Sequence, residues 1–188
     1  MIGIIEDRSD ERIPELARDT LLLLVDQIRA VHTRIAGLEK KLKTWHRASE
    51  ASQRLEAIPG VGMITATALV ATIGNGSQFR SARQLSAWLG LVPRQNTSGG
   101  KERLGRISKR GDGYLRRLLV HGARAVLRWS RGDRTAGPEH SRTVWQRALL
   151  ARRPTNVVLV AMANKTARIV WAMLSRNEPY RPLVPNTA

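Results

Sequence analysis

The sharpest pattern in the chain is a run of apolar residues spaced alternately three and four apart: Leu21, Leu24, Ile28, Val31, Ile35, Leu38, Leu42 and Trp45. That spacing keeps one narrow apolar seam on a helix over more than three heptads, the pattern of a coiled coil. A long amphipathic helix packed on its own domain fits the same positions, so the seam predicts a helix over 14–50 without saying what covers it. Residues 1–13 ahead of it are charged and aperiodic, and read as a frayed tail or a cut linker.

After the seam the pattern shortens. In "LEAIPGVGMITATALVATIG", Pro59, Gly60 and Gly62 interrupt two helical runs, with Ile58 and Val61 flanking the break. This is a helix-hairpin-helix pattern. Its glycines let backbone come close to a ligand, and the open N–H groups of the second helix favour a phosphate; an ordinary tight turn has the same residues. Gly60, Val61 and Gly62 are therefore candidate nucleic-acid contacts. Ser81 followed by Gln84 forms a capping box that starts a short helix through Leu85, Trp88 and Leu89, ended by Gly90 and Pro93. A loop of some fifteen to twenty residues follows, longer than most connections. From Tyr114 a helix resumes with Leu115, Leu118, Leu119, Gly122, Ala123, Val126 and Leu127 on one face and Arg117, Arg124 and Arg128 on the other. A short helix over 141–150 and a nearly all-apolar, hence buried, helix over about 155–175 complete the chain, the latter with one polar window at Asn164, Lys165 and Arg168. The expected architecture is all-α: a coiled-coil arm over 14–50, a compact helical domain with a helix-hairpin-helix element over 51–176, and a tail over 177–188.

Composition changes this picture in one respect. Among 188 residues, 32 Lys and Arg face 15 Asp and Glu, a formal charge of +17 that calls for a polyanionic partner, DNA or RNA first. No membrane partner is expected, because the N-terminus lacks a signal core and the most apolar stretch is broken by its polar window; a cytoplasmic location follows. With no cysteine and four scattered histidines, no metal site held by this chain is expected.

The charge is concentrated. Eleven Lys or Arg and two acids lie between Arg94 and Arg131, about half the net charge in a fifth of the chain. Within it, "NTSGGKERLGRISKR" sets Ser98 beside Gly99 and Gly100, with Lys101, Arg103, Arg106, Lys109 and Arg110 following. A serine attacking a phosphodiester needs placement and cations around the phosphoryl oxygens, which these residues are the right type to supply. A Thr-Ser-Gly-Gly turn without reactivity fits the same string. The segment has no P-loop spacing, and no serine sits in G-x-S-x-G, which argues against an ATPase and an α/β hydrolase.

The stretch "RLEAIPGVGMITATALVATIGNGSQFRSARQLSAWLGLVPRQNTSGGKERLGRISKRGDGYLRRLLVHGARAVL", with the later "ANKTARIVWAML", closely resembles the C-terminal transposase domain of the Piv-invertase-like, bridge-RNA-guided insertion-sequence transposases. The resemblance spans about residues 14–175. It implies DNA cleavage and rejoining, a structured guide RNA, and a catalytic serine matching Ser98, with Thr97 a neighbouring hydroxyl. It also implies a preceding RNase H-like domain whose four acids bind Mg²⁺, and Glu6, Asp7, Asp10 and Glu11 do not map onto those acids. The expectations are thus a serine nucleophile that works with an acidic domain from elsewhere, or a non-catalytic nucleic-acid-binding remnant. In either case the seam is expected to pair with a second copy or with full-length transposase.

Overall fold

A computed structural model describes residues 2–8, 10–95, 104–132 and 141–182. Its elements are α1 (Ile2–Glu6), α2 (Glu15–Ala48), α3 (Glu50–Glu56), α4 (Met63–Ile73), α5 (Ala82–Trp88), β1 (Pro93–Gln95), β2 (Leu104–Ile107), α6 (Gly113–Gly132), α7 (Ser141–Leu150) and α8 (Thr155–Arg176). The mainly all-α expectation holds, with one two-stranded sheet among the described residues. The chain divides into two compact units, Met1–Trp45 and His46–Ala188.

In the first unit the long periodic segment is the 34-residue helix α2. Its seam is open: from Leu24 to Trp45 the seven seam residues are between 38% and 60% exposed. Residues 2–8 and 10–13, in a segment read from sequence as a frayed tail or a cut linker, carry α1 and fold back on one side chain. The buried Arg18 guanidinium donates to the carbonyls of Ile4 (3.1 Å), Ile5 (2.9 Å), Asp7 (2.5 Å), Asp10 and Ile13 (3.3 Å). A planar group with five donors can collect carbonyls that no helix ladder serves, and this organises a segment without periodicity. Glu6 pairs with Arg29 at 2.5 Å and Asp10 with Arg12 at 2.5 Å. The Arg12 side chain and amide hydrogen bonds hold the Asp10 carboxyl well below the usual range, at about 2.

The second unit has one core. Leu55, Ile58 and Val61 from the α3–α4 region meet Leu69 and Ile73 of α4, Leu115, Leu119, Ala123 and Leu127 of α6, and Val158, Met162, Ala163 and Val170 of α8. Each large aliphatic chain buried this way contributes about 1.5–3 kcal/mol relative to exposure. α8 packs against α3, α5, α6 and α7. It is long and apolar enough to cross a membrane, yet its apolar residues are largely buried among these neighbours, which is how a core helix meets the same compositional test. Ser81 Oγ accepts from Gln84 N–H at 3.3 Å, so Ser81 caps α5 as the sequence predicts, while the Gln84 side-chain Oε1 accepts from Arg80 N–H, one residue ahead of the cap, at 2.6 Å. The segment expected as tail begins tied down: Asn177 ends α8 in the left-handed conformation, and Tyr180 packs on the core.

The glycines of the α3–α4 turn serve the fold first. Gly60 has φ +85°, and a Cβ there would lie 2.6 Å from the Gly122 carbonyl oxygen. A Cβ on Gly122 would lie 1.9 Å from the Gly60 carbonyl oxygen. Backbone meets backbone here, so neither position has room for a side chain. Gly122→Ala is expected to lower the unfolding free energy by about 1–3 kcal/mol, the usual cost of overpacking. Gly37→Ala, in α2 with nothing near the added carbon, should instead stabilise by up to about 1 kcal/mol. Urea denaturation of the two variants checks both signs.

Candidate nucleic-acid interface

The long basic connection expected between two helices is not all loop. Its flanks pair as an antiparallel ladder, Pro93 opposite Ile107 and Gln95 opposite Leu104, with an irregularity between. Strands of three and four residues have too little alternation to announce themselves in sequence. Below the ladder the two chain segments clasp. Ser108 N–H donates to Val92 O (2.9 Å) and Lys109 N–H to Gly90 O (3.2 Å). Gly90 (φ +68°) and Gly111 (φ +80°) sit so close to the opposing backbone that added Cβ atoms would fall 2.2 Å from Arg110 O and 1.7 Å from Trp88 O. Lys109, between them, takes φ +54°, a conformation uncommon for a residue with a side chain.

Two further side chains fasten this stem to the domain. Arg116 Nη1 donates to Leu89 O at 3.0 Å, and Asn164 Nδ2, from the polar window of α8, donates to Leu91 O at 3.2 Å. Asp112 Oδ1 accepts from Leu115 N–H at 2.8 Å and so caps α6. The stem is therefore held from both sides by the helical core. Arg106, Lys109 and Arg110 lie exposed on it. Ser98, Thr97, Gly99, Gly100, Lys101 and Arg103 lie outside the described residues.

From the stem the charge continues along α6. Arg117, His121, Arg124 and Arg128 are all exposed and recur at helical spacing, opposite the buried Leu115, Leu119, Ala123 and Leu127. Arg124 and Arg128 line one side of a cleft of about 290 Å³ whose other wall is Thr155, Asn156 and Leu159 at the start of α8. The sequence marked Arg117 and Arg124 by their arc; the α8 wall opposite Arg124 carries no local signal.

The α3–α4 turn divides its three candidates. Gly62 is exposed, with open space where a Cβ would stand, and α4 begins there without a side-chain cap. Val61 is only 3% exposed, its side chain in the core and its N–H donated to Ile58 O at 2.9 Å. At Gly60 the close approach that glycine permits is made to α6. Of the three, only Gly62 faces outward, followed at the start of α4 by the exposed Ile64.

One cluster looks like hydrolase chemistry and is not suited to it. His46 Nδ1 lies 2.8 Å from Ser52 Oγ and its Nε2 2.9 Å from Glu56 Oε2. Ser52 is fully buried, so its oxygen has no route to a substrate. The group braces the end of α2 against α3. Among the described residues no cluster of His, Asp and Glu is arranged to hold a metal ion.

Comparison with known proteins relates this basic helical assembly to insertion-sequence transposases. The chain is 50% identical over 170 residues, 90% of its length, to "Probable family 20 transposase" of Pseudomonas aeruginosa, and 48% identical over 147 residues to "Transposase for insertion sequence element IS1111A" of Coxiella burnetii. It is 42% identical over 142 residues to "Transposase for insertion sequence element IS1328" of Yersinia enterocolitica. These matches cover 49%, 39% and 41% of the three relatives, so the chain spans about half their length or less. Residues 52–137, from α3 through the basic hairpin and α6, match the model of the Transposase IS116/IS110/IS902 family.

The neighbouring arginines of α6 have separable roles. Arg116→Ala should cost about 1–3 kcal/mol of stability, because the stem carbonyls it serves lose their donor, whereas Arg117→Ala should stay within about 0.5 kcal/mol, as exposed positions do. Thermal or urea melts of the two variants measure the difference.

Proposed function

We propose that this chain is the nucleic-acid-handling part of an insertion-sequence transposase and that it presents Ser98 as the nucleophile for strand cleavage and rejoining. The observation that carries this reading is the joining of two features. A stem clasped to the core leads into the Ser98 segment, and an exposed row of guanidinium groups starts at the foot of that stem and runs down α6. Ser98 follows Gln95 by three residues, a length of chain that spans at most roughly 11 Å. A strand lying along Arg106, Lys109, Arg110, Arg117 and Arg124 is thus drawn to the neighbourhood of that hydroxyl. The exposed turn at Gly62, opening α4 without a side-chain cap, offers a further backbone contact of the helix-hairpin-helix kind.

In the step itself the serine hydroxyl gives up its proton as its Oγ forms a bond to phosphorus, the bridging P–O bond to one sugar breaks, and the departing sugar oxygen takes up a proton, so protons balance. Rejoining reverses this, so no fuel is consumed. Cations around the phosphoryl oxygens lower the barrier by stabilising the charge that develops there. Asp112 does not serve as the base, since its carboxylate caps α6. The acids of the first unit do not fit the Mg²⁺ role that the family resemblance implies: Glu6 and Asp10 are engaged with arginines. Mg²⁺ and its ligands belong, on this reading, to an acidic domain outside these residues. A structured guide RNA is a second polyanion for the same basic surface, and the cytoplasm is the location of the work.

The open seam of α2 is read as the contact to a second copy or to full-length transposase. Ile28→Asp combined with Ile35→Asp should convert a dimer to monomer in sedimentation velocity without loss of helix content; an unchanged sedimentation coefficient removes the seam from the assembly.

Duplex DNA binding should weaken steeply with salt, and each of Arg117→Ala and Arg124→Ala should lower the log–log salt slope by about 1. With a full-length relative supplying the acidic domain, a covalent DNA–protein adduct should form, persist in Thr97→Val and vanish in Ser98→Ala. An adduct that survives Ser98→Ala removes the serine from the role. Salt-sensitive binding with no adduct under any condition favours the non-catalytic reading.

A further inference from the structure

Away from the α6 track, on the other side of α8, lies a cleft of about 580 Å³ between α7, α8 and the first turn of α5. Among the described residues its charged lining is Lys165, Arg168 and Arg176. Two indoles, Trp145 and Trp171, complete the wall, both half-buried. Ala82 forms the third side, flanked in sequence by the exposed Arg80 and Arg83. A smaller cleft of about 230 Å³ adjoins it through Lys165, Ile169 and Ala172, and there Glu178 enters, so among the described residues the side beside Trp145 is the more cationic.

The aromatic rings are held, not merely present. Trp171 Nε1–H donates to Phe79 O at 3.1 Å, which fixes the ring plane. The Lys165 ammonium stands 4.9 Å from the centre of the Trp145 ring, so one face of that indole carries a cation. Three cations gathered around oriented indoles make a lining with two chemical demands, an anion and a flat apolar partner. A nucleotide unit supplies both at once, phosphate and base. The volume falls within the range of small-ligand sites, roughly 300–1,000 Å³, which suits one extruded nucleotide and is too confined for a duplex.

We propose that this cleft binds an unpaired nucleotide of a nucleic-acid strand, with Arg168 and Arg176 on its phosphate and the Trp145 and Trp171 side receiving its base. It rests on the reading that the chain handles nucleic acid, and adds a second contact that the α6 track does not supply. Asn164, which lines the cleft, also donates to the carbonyl of Leu91 at the hairpin stem, so the cleft adjoins the element that leads to Ser98.

The test compares wild type, Arg168→Gln/Arg176→Gln, and a control with equal charge loss on α2, Lys41→Gln/Lys43→Gln. Each is titrated by fluorescence anisotropy against short unstructured DNA and RNA single strands and against duplex DNA, after circular dichroism has shown equal helix content. The cleft variant should lose about tenfold in affinity for a single strand, in keeping with lost phosphate and stacking contacts, while its duplex affinity stays within twofold of the control. Strands carrying 5-iodouracil should photocrosslink to a peptide containing Trp145 or Trp171; a crosslink from DNA, RNA or both supports the site and says which strand it takes. Duplex binding that is intact in wild type, together with single-strand binding indifferent to the cleft substitutions and no crosslink at either tryptophan, overturns the cleft alone. Wild type that binds no nucleic acid overturns both this site and the function above. Polyglutamate that displaces the single strand as well as an unlabelled oligonucleotide does also overturns it, since charge without a base would then suffice.

Discussion

The contact between the Gly60 and Gly122 backbones is the constraint on which the rest of the second unit turns. Because neither residue has a side chain, the α3–α4 turn and α6 approach to a separation that any Cβ would forbid. That approach brings Ile58 and Val61 into the core beside Leu119 and Ala123. With this face of α6 committed to the interior, the opposite face, with Arg117, Arg124 and Arg128, is directed to solvent. The orientation of the basic surface is thus a result of packing, and the charged residues themselves do nothing to set it.

Much of the helical framework was readable because helices announce themselves by period and by their ends. The seam from Leu21 to Trp45 lies on α2, the Ser81 to Gln84 box starts α5, and the apolar run after Pro154 is α8. What escaped was whatever depends on distant backbone. α1 is held by Arg18, whose five carbonyl partners have no side-chain signature. The two short strands are defined by each other, and the glycines at 90 and 111 look in sequence like loop punctuation although each is required by a close crossing.

The candidate interface shows the same division. Types and spacing pointed to Arg106, Lys109, Arg110, Arg117 and Arg124, and these are exposed. Spacing alone could not tell Gly62, which is open, from Gly60 and Val61, which the core claims. Nor could it separate Arg116, which holds the stem, from Arg117 beside it. In the α8 window, Asn164 binds backbone, while Lys165 and Arg168 open onto a cleft whose other walls come from α5 and α7.

The doubly crossed stem at 88–90 and 109–111 carries a consequence for tolerance to change. An excursion whose two ends are pinned side by side can change in length with little penalty to the scaffold, since doubling a loop costs only about 0.6 kcal/mol in closure entropy. Substitutions at Gly90 or Gly111, where an added side chain would meet the opposing backbone, are the ones the stem does not tolerate.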